Sequence, residues 1–484
     1  MTGASLVAAA LLFVPPSEAS FAYDVVELAP AGDRHTVLSD DLDGDGTREL
    51  LLLGGREVSV FFLRDGRLPE RPDARVTLAD DVVFVDVGDV DGDAARELVL
   101  MTTGGVRAVS FRDRAALPPR PVEPLSEVSV ALPSVPASDV GWNEILLDVD
   151  GVPGEDAVVP TFDGYRIFRW RDGDGFVDAG LLPAVPTGSI SLSTGSDLGV
   201  VEQTVVAPRL YVGDVDGDGG REILTFDGRV VRAYAPPADG AATWRPVLTK
   251  TLYPDDASLA EELFQSRNVR VEDLDASGRA LLMVVRSLEG RLDFFSGDDP
   301  FSERRSLRLD GWLLPPKLVD IDGDGRLDLL APTVEAIDVL TLLKVFVSRT
   351  FRMRYSIFRN RDGVRYRRTP DEVRELVLPL EYQTAGGELQ VENQMVYSFE
   401  GDYDGDGRKD FLMRSAPTEL VVFRGGASGF EAEPAATWTI DDSSDYLTIR
   451  PRLCDLNVDG RTDLLLLYDA REGGADRYVF RLSR

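Results

Sequence analysis

Residues 320–329 read DIDGDGRLDL, with Asp320, Asp322, Asp324 and Asp328 at the first, third, fifth and ninth positions and Gly325 at the sixth. A tight turn with an oxygen at every second residue gathers those oxygens around one point. A hard cation such as Ca²⁺ requires this, because it takes about six to eight oxygen ligands. In this reading Asp320, Asp322 and Asp324 offer side-chain oxygens, Arg326 its backbone carbonyl and Asp328 a closing carboxylate, while Gly325 permits the sharp turn. Without a counter-charge, four crowded carboxylates repel one another and resist ionisation. One such segment is compatible with a solvated acidic turn, but this chain has eight.

The other seven begin at Asp41 (DLDGDGTREL), Asp89 (DVDGDAAREL), Asp148 (DVDGVPGEDA), Asp214 (DVDGDGGREI), Asp273 (DLDASGRALL), Asp402 (DYDGDGRKDF) and Asp455 (DLNVDGRTDL). Candidate ligands in the first are Asp41, Asp43, Asp45, Thr47 and Glu49, and in the second Asp89, Asp91, Asp93, Ala95 and Glu97. The third offers Asp148, Asp150 and Asp156, and the fourth Asp214, Asp216, Asp218, Gly220 and Glu222. Asp273, Asp275 and Ser277 belong to the fifth, and Asp402, Asp404, Asp406, Arg408 and Asp410 to the seventh. The last has Asp455, Asn457, Asp459, Arg461 and Asp463. Seventh-position residues enter through their carbonyls. Six of the eight segments keep oxygen side chains at positions 1, 3, 5 and 9. The Asp148 segment has Val152 at position 5, and the Asp273 segment has Ser277 at position 5 and Leu281 at position 9. The latter is expected to bind a cation weakly or not at all.

Recurrence at intervals of 47 to 82 residues marks one supersecondary unit repeated along the chain. Length alone suggests about three domains. The repeat overrides that prior, because each unit is too small to bury its own faces and must stack on its neighbours. Each acidic segment follows a short apolar strand and precedes a run such as Leu50-Leu51-Leu52-Leu53 or Leu464-Leu465-Leu466-Leu467, apolar on consecutive positions and so buried on both faces. A glycine-containing turn, an alternating strand and a more polar strand complete the unit. Four antiparallel strands repeated around an axis define an all-β fold, a β-propeller. Eight units predict eight blades, with seven as the alternative. The last unit is one strand short, and residues 23–28 (YDVVEL) have nothing nearby to pair with. They are expected to supply the missing outer strand, which removes two exposed edges at once.

The chain carries 84 acidic against 52 basic residues, a net charge of −32, which argues against a nucleic-acid partner. Its single cysteine, Cys454, rules out an internal disulfide framework, and its single histidine, His35, removes multi-histidine zinc sites and most histidine-based triads. Residues 4–14 form an apolar run followed by small-x-small cleavage motifs, so residues 1–22 read as a secretory signal and 23–484 as the propeller. No later stretch is long and apolar enough to be a membrane-spanning helix. Secretion or a place in the cell envelope is expected, as a monomer. Export also suits weak calcium loops, which are useful where calcium is abundant.

An insertion at about 334–394 interrupts the sixth unit. Residues 334–347 (VEAIDVLTLLKVFV) fit a short helix or a strand, and residues 350–359 a displaced third strand. Ten basic residues fall within 344–374: Lys344, Arg349, Arg352, Arg354, Arg359, Arg361, Arg365, Arg367, Arg368 and Arg374. In so acidic a chain they suggest either a site for an anionic ligand or internal neutralisation of neighbouring carboxylates.

The eight segments, several preceded by glycine as in Val87-Gly88-Asp89 and Val212-Gly213-Asp214, resemble the FG-GAP/VCBS calcium-loop repeats found in integrin α-subunit heads and many secreted bacterial proteins. The resemblance rests on the loops, since the dipeptides that name the family are mostly missing. It implies a seven- or eight-bladed propeller with calcium in the inner hairpins. Fold alone does not give function. The leading expectation is a non-enzymatic binding, adhesion or scaffold module for a protein or glycan ligand. The alternative is a carbohydrate-active enzyme such as a polysaccharide lyase, for which Arg352, Arg354, Tyr355 and Tyr366 have suitable chemistry.

Overall fold

The computed structural model describes residues 21–30, 35–130, 140–193, 200–206, 208–227, 229–237, 242–252, 269–296, 301–335, 348, 350–361, 363, 366–379, 381–385, 388–392, 396–427, 429–441, 446–471 and 475–484. The signal-like residues 1–20 and most of the segment read as a short helix or strand, residues 336–347, lie outside them. The chain forms eight antiparallel sheets arranged as an eight-bladed β-propeller. In blade 1 the strands are Thr36–Asp40, Glu49–Gly54, Glu57–Phe61 and Ala74–Thr77, and the acidic loop joins the first to the second. The same connection recurs in every blade.

The second strands show why the blades stack. Leu50, Leu51, Leu52 and Leu53 are all buried. Side chains alternate across a strand, so Leu50 and Leu52 enter the core shared with blade 8, whereas Leu51 and Leu53 enter the core shared with blade 2. Blade 8 repeats the division: Leu464 and Leu466 face blade 7, while Leu465 and Leu467 face blade 1. The eight hydrophobic clusters each lie between two consecutive blades, and the cluster between blades 8 and 1 closes the circle. Among the described residues, no blade has a core of its own. Burying one leucine contributes about 1.5–3 kcal/mol, and that stabilisation is realised only when the neighbouring blade is in place.

Closure occurs as expected from the N-terminal segment. Tyr23–Leu28 is the outer strand of blade 8, antiparallel to Arg477–Ser483 with Tyr23 opposite Ser483 and Leu28 opposite Tyr478. Arg477 forks onto Glu27 at 2.8 and 2.7 Å. The Tyr23 hydroxyl donates to the carbonyls of Tyr403 (3.0 Å) and Thr462 (2.9 Å), touching the acidic loops of blades 7 and 8 together.

The span assigned to the insertion contains two strands of blade 6 itself, Thr350–Phe358 and Glu372–Pro379. A two-stranded hairpin, Glu381–Ala385 with Glu388–Glu392, follows the fourth strand. A second hairpin pairs Thr187–Ser193 with Val200–Val206. Both hairpins lie between a fourth strand and the next first strand, so in an antiparallel blade they leave the face opposite the acidic loops. Blade 2 gains Gly141–Trp142, parallel to its first strand, Val82–Gly88.

Deleting residues 23–28 is expected to accelerate amide hydrogen exchange across Arg477–Ser483, about 450 residues away in sequence. Exchange there that ignores the deletion would refute closure by this strand.

Candidate metal centres

Each acidic loop is built around its first aspartate. In blade 1, Asp41 accepts the Gly44 N–H at Oδ1 (2.8 Å) and the Gly46 N–H at Oδ2 (2.9 Å). Asp320 does the same with Gly323 (2.9 Å) and Gly325 (2.8 Å), and Asp402 with Gly405 (2.7 Å) and Gly407 (2.8 Å). The fifth-position side chain then accepts the seventh N–H, as in Asp45 from Thr47 (2.8 Å) and Asp218 from Gly220 (2.7 Å). These bonds curl the backbone so that the acidic side chains converge. Ligand oxygens of Asp41, Asp43 and Asp45, of Asp89, Asp91 and Glu97, of Asp214, Asp216 and Asp218, and of Asp320, Asp322 and Asp324 lie within 4.8 Å of one another in each group. An all-oxygen set of this density fits Ca²⁺ in donor chemistry.

The ninth residue holds the loop to its blade. Glu49, Glu97, Asp156, Glu222, Asp328, Asp410 and Asp463 are all buried. Each accepts the N–H of the loop's second residue, from 2.7 Å for Leu42 to Glu49 to 3.2 Å for Ile321 to Asp328. Where the residue is aspartate, its other oxygen takes an N–H at the end of the third strand: Trp170, Asn360, Gly425 and Ser483, at 2.7–2.8 Å. Blade 5 has Leu281 here and lacks this tie. It retains Asp273, which accepts Gly278 at 2.7 Å, and Ser277, which accepts Arg279 at 3.3 Å.

Neighbouring loops are bonded to each other, which the sequence reading did not anticipate. The eighth residue donates its N–H to the preceding blade's loop: Arg48 to Leu456 (2.7 Å), Arg96 to Asp41 (2.8 Å), Ala280 to Asp214 (2.7 Å), Leu327 to Leu274 (3.0 Å), Lys409 to Ile321 (2.9 Å) and Thr462 to Asp402 (2.6 Å). At the two remaining junctions side chains take over. Glu155 accepts the Asp89 N–H (3.3 Å), and Arg221 donates to the Asp148 carbonyl (3.1 Å) and carboxylate (2.8 Å). The loops therefore form a continuous belt on one face. No signal in a single loop reveals this, because donor and acceptor belong to different repeats.

Burial, reinforced by neighbouring carboxylates, pushes the Glu49 carboxyl up to about 8 and those of Glu222 and Asp410 to about 7. Burial also raises Asp463, to about 6. A carboxyl whose folded pKa lies above its unfolded value contributes stability below the unfolded pKa, and that stability is lost as pH rises through the folded pKa. In chelator, the melting temperature is expected to fall as pH rises from about 4.5 to 8. A bound cation favours the ionised forms and should flatten this slope. Thermal melts at several pH values, with and without cation, measure it.

The fourth loop position adopts a left-handed conformation, with φ of 74° at Gly44, 79° at Gly217 and 78° at Gly405. Ala276 and Val458 adopt it without being glycine, at φ 55° and 54°. For a non-glycine residue this costs about 1–2 kcal/mol. Val458 is exposed, so Val458→Gly sacrifices little packing. The gain is offset in part by the entropy of glycine, about 0.5–1 kcal/mol. The variant is expected to be up to about 1 kcal/mol more stable in chemical denaturation.

The basic cluster divides into distinct environments. Arg359 is buried against Asp328 (2.9 Å), Arg361 pairs with Asp371 (2.8 Å), and Arg374 pairs with Glu372 (2.6 Å) while lying over the rings of Phe411, Phe423 and Phe430. Arg352, Arg354, Arg367 and Arg368 are exposed, with no ion pair among the described residues. Lys344, Arg349 and Arg365 lie outside the described residues. Tyr355 is buried between blades 6 and 7, on the strand face opposite Arg352 and Arg354. The Tyr366 hydroxyl donates to the Leu327 carbonyl at 2.7 Å. The four residues do not form one constellation.

An eight-bladed ring with acidic loops between the first and second strands is a repeat propeller. A family model described as FG-GAP-like repeat matches residues 41–100 and 402–466, so the chain carries FG-GAP-like repeats where blades 1 and 2 and blades 7 and 8 adjoin. No curated protein matches significantly. Among solved structures, similarity extends to the V. cholerae biofilm matrix protein Bap1 (TM-score 0.37, 11% identity, covering 96% of this chain and 89% of that one). It extends also to an Agrocybe aegerita lectin described as recognising non-reducing terminal N-acetylglucosamine (TM-score 0.36, 12% identity, 84% and 85% covered). BBS1N in complex with ARL6DN gives a TM-score of 0.35 at 9% identity, with 94% of each chain covered. Similarity at this level says nothing about ligand or partner.

Proposed function

We propose that this chain is an exported, calcium-stabilised propeller that serves as a non-enzymatic binding, adhesion or scaffold module. The observation that carries this reading is the belt: the loops hold converging oxygens and are bonded to one another around the ring. Calcium in the loops of blades 1, 2, 4, 6, 7 and 8 would neutralise the carboxylates of loops whose backbones connect neighbouring blades. Its role there is structural, with the loop oxygens and the seventh-position carbonyls as ligands. A rigid ring of this kind presents its connecting segments for recognition. The exposed Arg352, Arg354, Arg367 and Arg368 favour an anionic protein or glycan ligand. The lyase reading is weakened because Tyr355 is buried and the Tyr366 hydroxyl is engaged by a backbone carbonyl.

Extracellular-type loops bind calcium with Kd of about 10⁻⁴ to 10⁻³ M, and a tenfold excess over Kd adds about 1.4 kcal/mol per site. Six independent sites would add about 8 kcal/mol, comparable with the whole stability of a typical domain. Chelation is expected to lower the melting temperature substantially, with recovery on adding Ca²⁺ and little with Mg²⁺. A melt indifferent to chelator would remove calcium from the account. Asp324→Ala should remove about one site's share of the calcium-induced stabilisation, about 1.4 kcal/mol, whereas Ser277→Ala should leave it nearly intact. For the ligand, binding to acidic polysaccharides on a glycan array should weaken in Arg367→Ser/Arg368→Ser at unchanged melting temperature. Unsaturated products appearing in the ultraviolet would instead establish a lyase.

A further inference from the structure

We infer that guanidinium groups stand in for a cation in blade 3, which makes it a cation-independent joint in a belt read as calcium-bound in six other blades. This goes beyond the calcium reading of the six loops above and concerns a loop that, unlike the Asp273 loop of blade 5, keeps its ninth-position carboxylate but has lost the fifth-position oxygen and the sixth N–H.

The Asp148 loop has lost two parts of the pattern. Val152 removes the fifth-position oxygen, and Pro153 at the sixth position has no N–H to donate to Asp148. The carboxylates that remain are claimed by arginines. Arg171 lies 2.8 Å and Arg169 3.5 Å from Asp150, and Arg221 of blade 4 lies 2.8 Å from Asp148. Asp156 takes the N–H groups of Val149 (2.9 Å) and Trp170 (2.8 Å). Asp148 and Asp150 thus face three guanidiniums, Asp156 is held by two backbone N–H groups, and the loop's remaining acid, Glu155, pairs with Arg96, so four carboxylates are balanced by four arginines without an ion. Oxygens of Asp148, Asp150 and Asp156 do lie within 4.8 Å of one another. Closeness does not imply a metal here, because a divalent cation would have to displace the arginines and find a ligand in place of Val152.

The same blade lacks the backbone bond between loops at its junction with blade 2. There the Trp170 ring lies against two loop glycines: a Cβ added at Gly92 would come 2.8 Å from its Cζ2, and one added at Gly154 2.3 Å from its Cδ1. Arg96 pairs with Glu155 at the same junction. Arginines and an indole therefore do at blade 3 what an ion and a backbone hydrogen bond do elsewhere. Blades 2, 6 and 7 also bring arginine to a loop carboxylate, as in Arg120 to Asp91 and Arg424 to Asp404, both at 2.5 Å. They keep all four oxygen positions and the sixth N–H. The loops of blades 1 and 4 have no ion pair to their carboxylates among the described residues.

The test is calcium titration by calorimetry on chelator-stripped full chain, together with thermal melts in chelator and in calcium. Asp43→Asn should lower the number of calcium ions bound by one. Asp150→Asn and Arg171→Gln should leave that number unchanged and lower the melting temperature equally in chelator and in calcium. Val152→Asp/Pro153→Gly/Arg171→Ser should gain one calcium ion. One fewer ion bound by Asp150→Asn, or destabilisation by Arg171→Gln confined to the calcium-loaded state, would overturn the proposal. If the wild-type chain binds no calcium, the calcium reading of the other loops fails. Equal destabilisation of Arg171→Gln in both conditions would still support the guanidinium joint, and an unchanged melt would overturn it.

Discussion

Repulsion among carboxylates on one face is the constraint on which the rest of the ring depends. The loop acids converge to within 4.8 Å, and their ninth-position members are buried against the blade. A charge removed from water is costly unless paired, and the raised pKa values of Glu49, Glu222 and Asp410 express that cost. The same groups organise the turn by accepting backbone N–H bonds. Removing a carboxylate therefore relieves repulsion and dismantles the loop at once. A counter-charge is the arrangement that keeps the turn while removing the repulsion.

Because the loops are bonded to their neighbours, local neutralisation has a distant effect. Thr462 donates to Asp402, Lys409 to Ile321 and Leu327 to Leu274, so one loop's geometry sets the position of the next. The hydrophobic clusters obey the same rule, each needing two blades. Tyr23 brings the two systems together, since its strand closes the ring while its hydroxyl touches the loops of blades 7 and 8. Stacked repeats gain stability mainly through interfaces with their neighbours, and a closed ring leaves no terminal repeat without one.

The arginines show how one residue type answers different local demands. In blade 3 they take over neutralisation of a loop. At Arg359 and Arg374 they satisfy buried or partly buried carboxylates within and beside blade 6. Arg352 and Arg354 alternate outward from a strand whose other face is core. A cluster that looks uniform in the sequence is thus partly structural and, at Arg352, Arg354, Arg367 and Arg368, exposed.

The number of blades, their all-β character and closure by residues 23–28 were legible in the sequence because each follows from a local signal: the acidic turn, the run buried on both faces, and an unmatched strand. The convergence of the loop carboxylates was legible for the same reason, since alternation within ten residues brings their oxygens together. The belt was not, because Arg48 and Leu456 meet only when the ring closes. Neither was the compensation at blade 3, where Arg221 comes from the next blade and Trp170 reaches Gly92 of the previous one. Val152 announced that something was missing. Only the tertiary structure decided what replaced it, because charges that neutralise one another through space need not be near in sequence.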